Sequence, residues 1–222
     1  MHHGLGNRNG EANVLANLGE VQQLTGDYES AVANLTSALD LYRSLGNRIG
    51  EGNALHQLGT VRLLTGNFPA AAASLGDALK LHQRLGNKLG EANAIRAQAA
   101  LQHLTGNRQA AADGLARALE MQRALGNRTG EAEVLNDMGE FIWDTVTPAQ
   151  SLEYHEKALL IATEIGSQFE KARAIEGIGL CLLKAGQAGK GAARLCEALV
   201  IYREMGVPQA RRAAETLCRY RP

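Results

Sequence analysis

The stretch LGNRIGEGNALHQLG, residues 45–59, is spelled almost identically as LGNRNGEANVLANLG at 5–19 and as LGNKLGEANAIRAQA at 85–99. It returns as LGNRTGEAEVLNDMG at 125–139 and, more divergently, as IGSQFEKARAIEGIG at 165–179. The anchoring glycines Gly6, Gly46, Gly86, Gly126, Gly166 and Gly206 stand 40 residues apart with no insertion or deletion. Self-similarity at a fixed period of this size marks stacked supersecondary units rather than a single globular core.

The punctuation inside one period defines two helices. Asn7 is a candidate N-cap with Glu11 in the first turn, and Val14, Leu15, Leu18, Val21 and Leu24 recur at the three-and-four spacing of a buried stripe. TGD at 25–27 then ends the helix, with Gly26 suited to a left-handed C-cap and Asp27 to capping a second helix whose stripe is Ala31, Leu35, Ala38 and Leu41. Neither helix can hide its stripe alone, so successive hairpins must supply the core to one another. In the fourth repeat TVTPAQS, 145–151, replaces the glycine turn, with Thr147 a candidate N-cap and Pro148 in the first helical position; a changed hairpin angle with a local pocket is one reading, and a merely different turn is the plainer one.

Composition agrees and excludes several functions. Hydrophobic residues make up 45% of the 222 and aromatics only 4%, which suits close helix packing through Leu, Ala, Ile and Val. The 23 basic and 23 acidic residues cancel, removing the broad attraction to nucleic acid or anionic membrane that a basic chain has. No apolar run approaches the roughly 18 residues that span a bilayer, and MHHGLGNR is not the start of a signal peptide, so a cytoplasmic protein without membrane contact is expected. Cys181, Cys196 and Cys218 lack CxxC spacing and are expected to be buried thiols without disulfide or zinc. The glycines recur with the hairpins and form no phosphate-cradling loop, and His155, near the fourth-repeat acids, lacks HxxxH or HxxE spacing and stands where other repeats have a core Leu. Neither catalysis nor a cofactor is expected.

The small residues within the period carry a resemblance. Leu15, Leu18, Gly19, Ala31, Leu35 and Ala38 follow the spacing L-x2-L-G and A-x3-L-x2-A, repeated by Leu55, Leu58, Gly59, Ala71, Leu75 and Ala78. This resembles the tetratricopeptide repeat over nearly the whole chain, with two departures: a unit of 40 rather than about 34 residues, and Gln98 and Ala99 in place of the apolar residue and Gly. The longer unit is similar to variants in spindle-orientation adaptors, kinesin light chains and the C-terminal arrays of actinobacterial antibiotic-regulatory activators. An Arg to Lys ratio of 17 to 6 leans toward the bacterial regulators. The resemblance implies an all-α, right-handed superhelix, a single solenoid domain over 1–222. Its repeats are 5–44, 45–84, 85–124, 125–164 and 165–204, with a capping helix at 207–220.

In that family the first helices line a concave groove, and the register counted from the Gly after the two leucines carries groove positions onto this chain. They are Asn13, Asn17 and Glu20; Asn53, His56 and Gln57; Asn93, Arg96 and His103; Glu133, Asn136, Asp137, Glu140, Trp143 and Asp144; and Arg173 and Glu176. Asn13, Asn53 and Asn93 form a ladder, and an amide that donates and accepts at once suits the main chain of an extended partner; solvated amides or caps are the plainer reading. Glu133, Asp137, Glu140 and Asp144 share one helical face beside Trp143, the only Trp. Residues 125–164 hold eight acids against two bases, while 165–222 hold five against ten, so a basic partner segment is expected opposite the fourth repeat.

The ends differ. Residues 207–222 set Ala210, Ala213, Ala214, Leu217 and Cys218 against Arg211, Arg212, Glu215 and Arg219, the pattern of a helix that closes a solenoid. The first repeat has no such cap: either the chain is a piece of a longer protein, or that hairpin packs on a partner or a second copy, which leaves a homo-oligomer open. The resulting expectation is a non-enzymatic scaffold holding a peptide or protein segment, as a module of a bacterial regulatory protein. The alternative is a sensor whose superhelix changes pitch around a peptide or small ligand, favoured by an apolar pocket at Trp143.

Overall fold

The computed structural model describes the backbone of residues 2–145 and 148–219 and the side chains of 8–143 and 148–219. Among the described residues the chain is all helical. The helices are α1 (His2–Thr25), α2 (Tyr28–Leu45), α3 (Arg48–Leu64), α4 (Phe68–Arg84), α5 (Lys88–Leu104), α6 (Arg108–Ala124), α7 (Arg128–Thr145), α8 (Pro148–Glu164), α9 (Gln168–Lys184), α10 (Ala188–Met205) and α11 (Gln209–Arg219). They form hairpins of the tetratricopeptide type. Two compact units are present, Met1–Met121 and Gln122–Pro222. In the first, α1, α3 and α5 lie side by side and α2 and α4 pack behind them; in the second, α7 and α9 do the same with α8 and α10, and α11 packs on α10.

The recurring LGNRxGE phrase is the junction between one hairpin and the next. Gly46 turns at φ 68° and donates to the Arg43 carbonyl, while Asn47 N–H bonds the Tyr42 carbonyl, ending α2 as a left-handed cap. The Asn47 side chain then caps α3 by accepting from Gly50 N–H at 2.9 Å, and Asn87 does the same for Gly90 at 3.0 Å. Gly50 itself leaves room for the Tyr42 ring, Gly90 for His82 and Gly130 for Gln122: a Cβ at any of the three would collide with that side chain. The following glutamate is buried and clamps both sides. Glu51 accepts from Arg43 and Arg48 at 3.1 and 2.8 Å; Glu91 from Lys88 and Arg117 at 2.9 and 2.7 Å; Glu131 from Arg123 and Arg128 at 2.9 and 2.7 Å. The two glycines, the asparagine, the basic residue and the glutamate of the phrase each have a structural task, which is why they repeat.

At the fifth repeat the junction inverts its sizes. Glu170 stands where the others have Gly, and the facing residue is Ala162 rather than Tyr, His or Gln. The third repeat compensates similarly: Ala99 replaces the packing Gly, and a Cβ on Gly114 of α6 would come within 2.9 Å of its methyl.

Four expectations change. The first helix does not start at Asn7; α1 runs through Gly6, and the Asn7 side chain lies outside the described residues. Val14, Leu18, Val21 and Leu24 are exposed, while Ala12, Ala16 and Gly19 are buried against α2. In α3 the matching Ala54, Leu58 and Val61 are covered, joining Leu39 and Tyr42 of α2 in one apolar cluster. In α2, Leu39 and Tyr42 fill the core where Leu41 is only partly buried. Of the cysteines only Cys181 is buried; Cys196 and Cys218 are exposed, the former because Leu195 beside it takes the inward position. Thr147 and residue 220 lie outside the described residues.

The packing glycines give a paired test. A Cβ at Gly59 would sit 2.6 Å from Leu75, whereas Gly76 in mid-α4 has nothing within 4 Å. Gly76→Ala is expected to stabilise by about 0.5–1 kcal/mol through helix propensity. Gly59→Leu should cost about 1–3 kcal/mol through overpacking. Urea titration of the two variants checks the opposite signs.

Candidate functional site

In the first unit the expected groove positions lie on one row of helices. Asn13, Asn17 and Asn53 are exposed, Asn93 is half-buried, and Asn13 accepts a 2.7 Å bond from the Tyr42 hydroxyl, so that member of the ladder is already held. Gln57 donates to Glu20 across from α3 to α1 at 3.3 Å. His56, Arg96 and His103 are half-buried in the same row. Burial, then the neighbouring Arg96 and His82, push the His56 imidazole down to about 3, so it is neutral. His56 Nδ1 and Gln57 Oε1 are closed off from solvent with no hydrogen-bond partner. Adjacent residues thus present two polar atoms unsatisfied within the chain, a condition that costs stability and in native proteins needs a reason.

In the second unit the same register turns inward. Asn136 is fully buried, donating to the Glu170 carbonyl and carboxylate at 3.1 and 2.9 Å, and its Oδ1 lies 3.1 Å from His155 Nδ1. Glu176 is buried too, accepting from the Tyr202 hydroxyl at 2.9 Å and from Arg212 at 2.9 and 3.2 Å. These two residues are therefore interior rather than groove-lining, because the position three before the packing Gly points between neighbouring first helices. His155 replaces the usual Leu and its longer ring reaches between Gly139 and Gly177, where a Cβ at either would strike it. Burial holds it at about 4. Ser151 donates to the Gly139 carbonyl at 2.8 Å, and Cys181 to Ser151 at 3.3 Å.

The acidic stripe is answered from within. Arg173 reaches Asp137 at 2.7 Å, Glu140 at 2.8 Å and Glu170 at 3.2 Å. Desolvation opposes its charge, yet the surrounding carboxylates hold its pKa well above the ordinary arginine value. Lys184 lies 4.4 Å over the Trp143 ring and donates to the Trp143 carbonyl, so the indole already has a cation. Glu133 is half-buried, and the Asp144 side chain lies outside the described residues. The sequence signal for this network was available: Glu170 and Arg173 depart together from the Gly and Asn of the first three repeats, and His155 stands where the other repeats have Leu.

A cleft of about 300 Å³ lies on the other side of the first unit, lined by residues of α2, α3 and α4 including Arg43, Arg62 and Asp77. It is not at Trp143. Among the described residues no three His, Cys, Asp or Glu are grouped to hold a metal ion, and no helix is long and apolar enough to cross a membrane.

The buried titratable groups set a pH dependence. His56 and His155 bind protons in the unfolded chain below the ordinary imidazole value of 6.5 but not in the folded one until about 3 and 4, so stability is lost as pH falls from 6.5. Burial would raise the Glu51 and Glu131 carboxyls, but bonds from Arg48 and Arg43, and from Arg123 and Arg128, hold them below 4.5; at Glu91 the Lys88 bond leads. Their contribution is present above 4.5 and is lost below it. Thermal melts from pH 8 to 3 are expected to show a decline beginning near 6 and steepening below 4.5, with the first step reduced in His155→Gln.

No family profile and no curated protein matches the chain. Solved structures do. A Rap protein complexed with Competence and Sporulation Factor superposes with a TM-score of 0.79 at 15% identity, over 87% of this chain and 54% of that one. BtubC from P. vanneervenii gives 0.64 at 19% identity over 91% and 90%. Nearly identical TPR-like repeats of a kinesin light chain from Podospora anserina give 0.60 at 12% over 92% and 98%. At these identities the likeness establishes the fold.

Proposed function

We propose that this chain, whose fold is that of tetratricopeptide-type repeat proteins, is a non-enzymatic, cytoplasmic recognition module that holds an extended peptide or protein segment along α1, α3 and α5. The observation that carries the reading is the pair of buried, unpartnered atoms, His56 Nδ1 and Gln57 Oε1, set among exposed asparagines. After a modest side-chain rotation the imidazole donates to a peptide carbonyl and the amide oxygen accepts a peptide N–H, so the two together match one peptide unit of a strand. Asn53, with Asn93 and Arg96, would extend that contact along the row. A regulatory, bacterial setting is supported by the arginine-rich composition and by the likeness to the Rap protein, itself complexed with a factor. The basic complement expected opposite the fourth repeat is supplied within the protein by Arg173 and Lys184, so the occupant proposed here is recognised mainly by its main chain.

The test separates binding from folding. His56→Leu removes an unsatisfied buried polar atom and is expected to leave stability unchanged or raised by about 1–3 kcal/mol. Segments captured from a cell extract by the wild type, identified after limited proteolysis, are expected to be lost by this variant and by Asn53→Ala. Undiminished capture by both, with intact melts, would remove α3 from the site.

A further inference from the structure

The cleft between α2, α3 and α4 uses a different face of α3 from the groove row: Leu55 and Leu58 line it, while His56 and Gln57 of the same turn belong to the row. Its floor is apolar, with Leu39, Leu55 and Leu58 all buried. Its walls are charged. Arg62 of α3 is half-buried and donates to the buried Ser74 hydroxyl, and Asp40 of α2 and Asp77 of α4 stand exposed at the rim. These charges do not meet. Among the described residues no ion pair joins Arg62 to either aspartate, the Asp40 side chain has no partner, and Asp77 has only Lys80, at 3.8 Å. Arg43, the second cation of the lining, is already paired with Glu51.

The arrangement belongs to this cleft and not to the repeat, since the next repeat has Lys80, Gln102 and Arg117 at the places of Asp40, Arg62 and Asp77. A guanidinium and two carboxylates that share about 300 Å³ without closing on one another suit a molecule that carries both charges. An inorganic anion would be repelled by the aspartates and a bare cation by Arg62, while an apolar molecule would desolvate all three without pairing them. We infer that this cleft binds a free α-amino acid with an aliphatic side chain, its carboxylate on Arg62, its ammonium on Asp40 and Asp77, and its side chain over the three leucines. The volume stands at the lower end of small-molecule sites, as a ligand of that size requires. Because the lining comes from the first hairpin through α2 and from the second through α3 and α4, the bound amino acid ties the two together and stabilises the folded chain.

Thermal melts and calorimetric titration of the 222-residue chain with leucine, isoleucine, valine, N-acetyl-leucine and leucinamide test the site. The three free amino acids are expected to raise the Tm and to bind at one site; N-acetyl-leucine, which lacks the ammonium, and leucinamide, which lacks the carboxylate, are not. Arg62→Gln places there the residue that Gln22 and Gln102 supply in neighbouring repeats, and Asp40→Asn keeps the size of an exposed side chain. Both should melt like the wild type without ligand and bind leucine about tenfold or more weakly, the loss of one charge-assisted hydrogen bond. His56→Leu should bind leucine as the wild type does, which separates this cleft from the groove row. No response to any of the three amino acids, equal binding of N-acetyl-leucine or leucinamide, undiminished binding by Arg62→Gln and Asp40→Asn, or loss of binding in His56→Leu would each overturn the assignment.

Discussion

Arg173→Ala is expected to lower the unfolding free energy by about 3–5 kcal/mol, the cost of breaking a buried ion cluster by removing one side of it. The guanidinium side chain is only 14% exposed and is the shared partner of Asp137, Glu140 and Glu170. Without it three carboxylates face one another across α7 and α9, and Asn136 is left bonded to a Glu170 that has lost its counter-charge. Arg173→Lys keeps a point charge but not the planar fork and is expected to fall between the wild type and Arg173→Ala. Urea denaturation at pH 7 reads the size. A change below about 1 kcal/mol, the range of an exposed pair, would show the cluster to be solvated.

Tyr202→Ala is expected to cost about 3–5 kcal/mol, as for other large aromatic truncations in a core. Tyr202 is fully buried, its ring lies edge-on to Phe169 at 6.3 Å, and its hydroxyl bonds Glu176. Burial and the neighbouring carboxylate raise its pKa, so the hydroxyl is a donor at all working pH. The damage should be local: hydrogen exchange should quicken first in α11, whose Ala213 packs in the same cluster together with Val207 just before the helix. Tyr202→Phe removes only the bond and should cost about 1–2 kcal/mol. Because Glu176 is also held by Arg212, Tyr202→Phe and Arg212→Ala should be non-additive, each being worse when the other is present.

Much of the fold was legible at Gly46, Asn47 and Gly59. A left-handed turn, a side-chain cap and a close helix approach are local demands, and each admits so few residue types that the letters reveal the geometry. The functional surface was legible only in its register. Asn53 and His56 belong to the same groove triplet, but one remains at the surface while the other has a ring nitrogen sealed within it, and nothing in their spacing separates them. Asn136 and Glu176 share the His56 register and are fully internal.

The sequence by itself determined the period, the hairpins, the junction chemistry of LGNRxGE and the polar character of the first-helix row, because these depend on a residue and its neighbours within one turn or one repeat. Tertiary structure alone decided which charges are spent. Arg173 lies 36 positions beyond Asp137 and closes on it because two first helices stack; Lys184 reaches Trp143 across the same stack. Likewise Val14, Leu18 and Val21 read as core by periodicity, yet burial needs a second surface, and only the arrangement of whole hairpins shows that α3 has one where α1 does not.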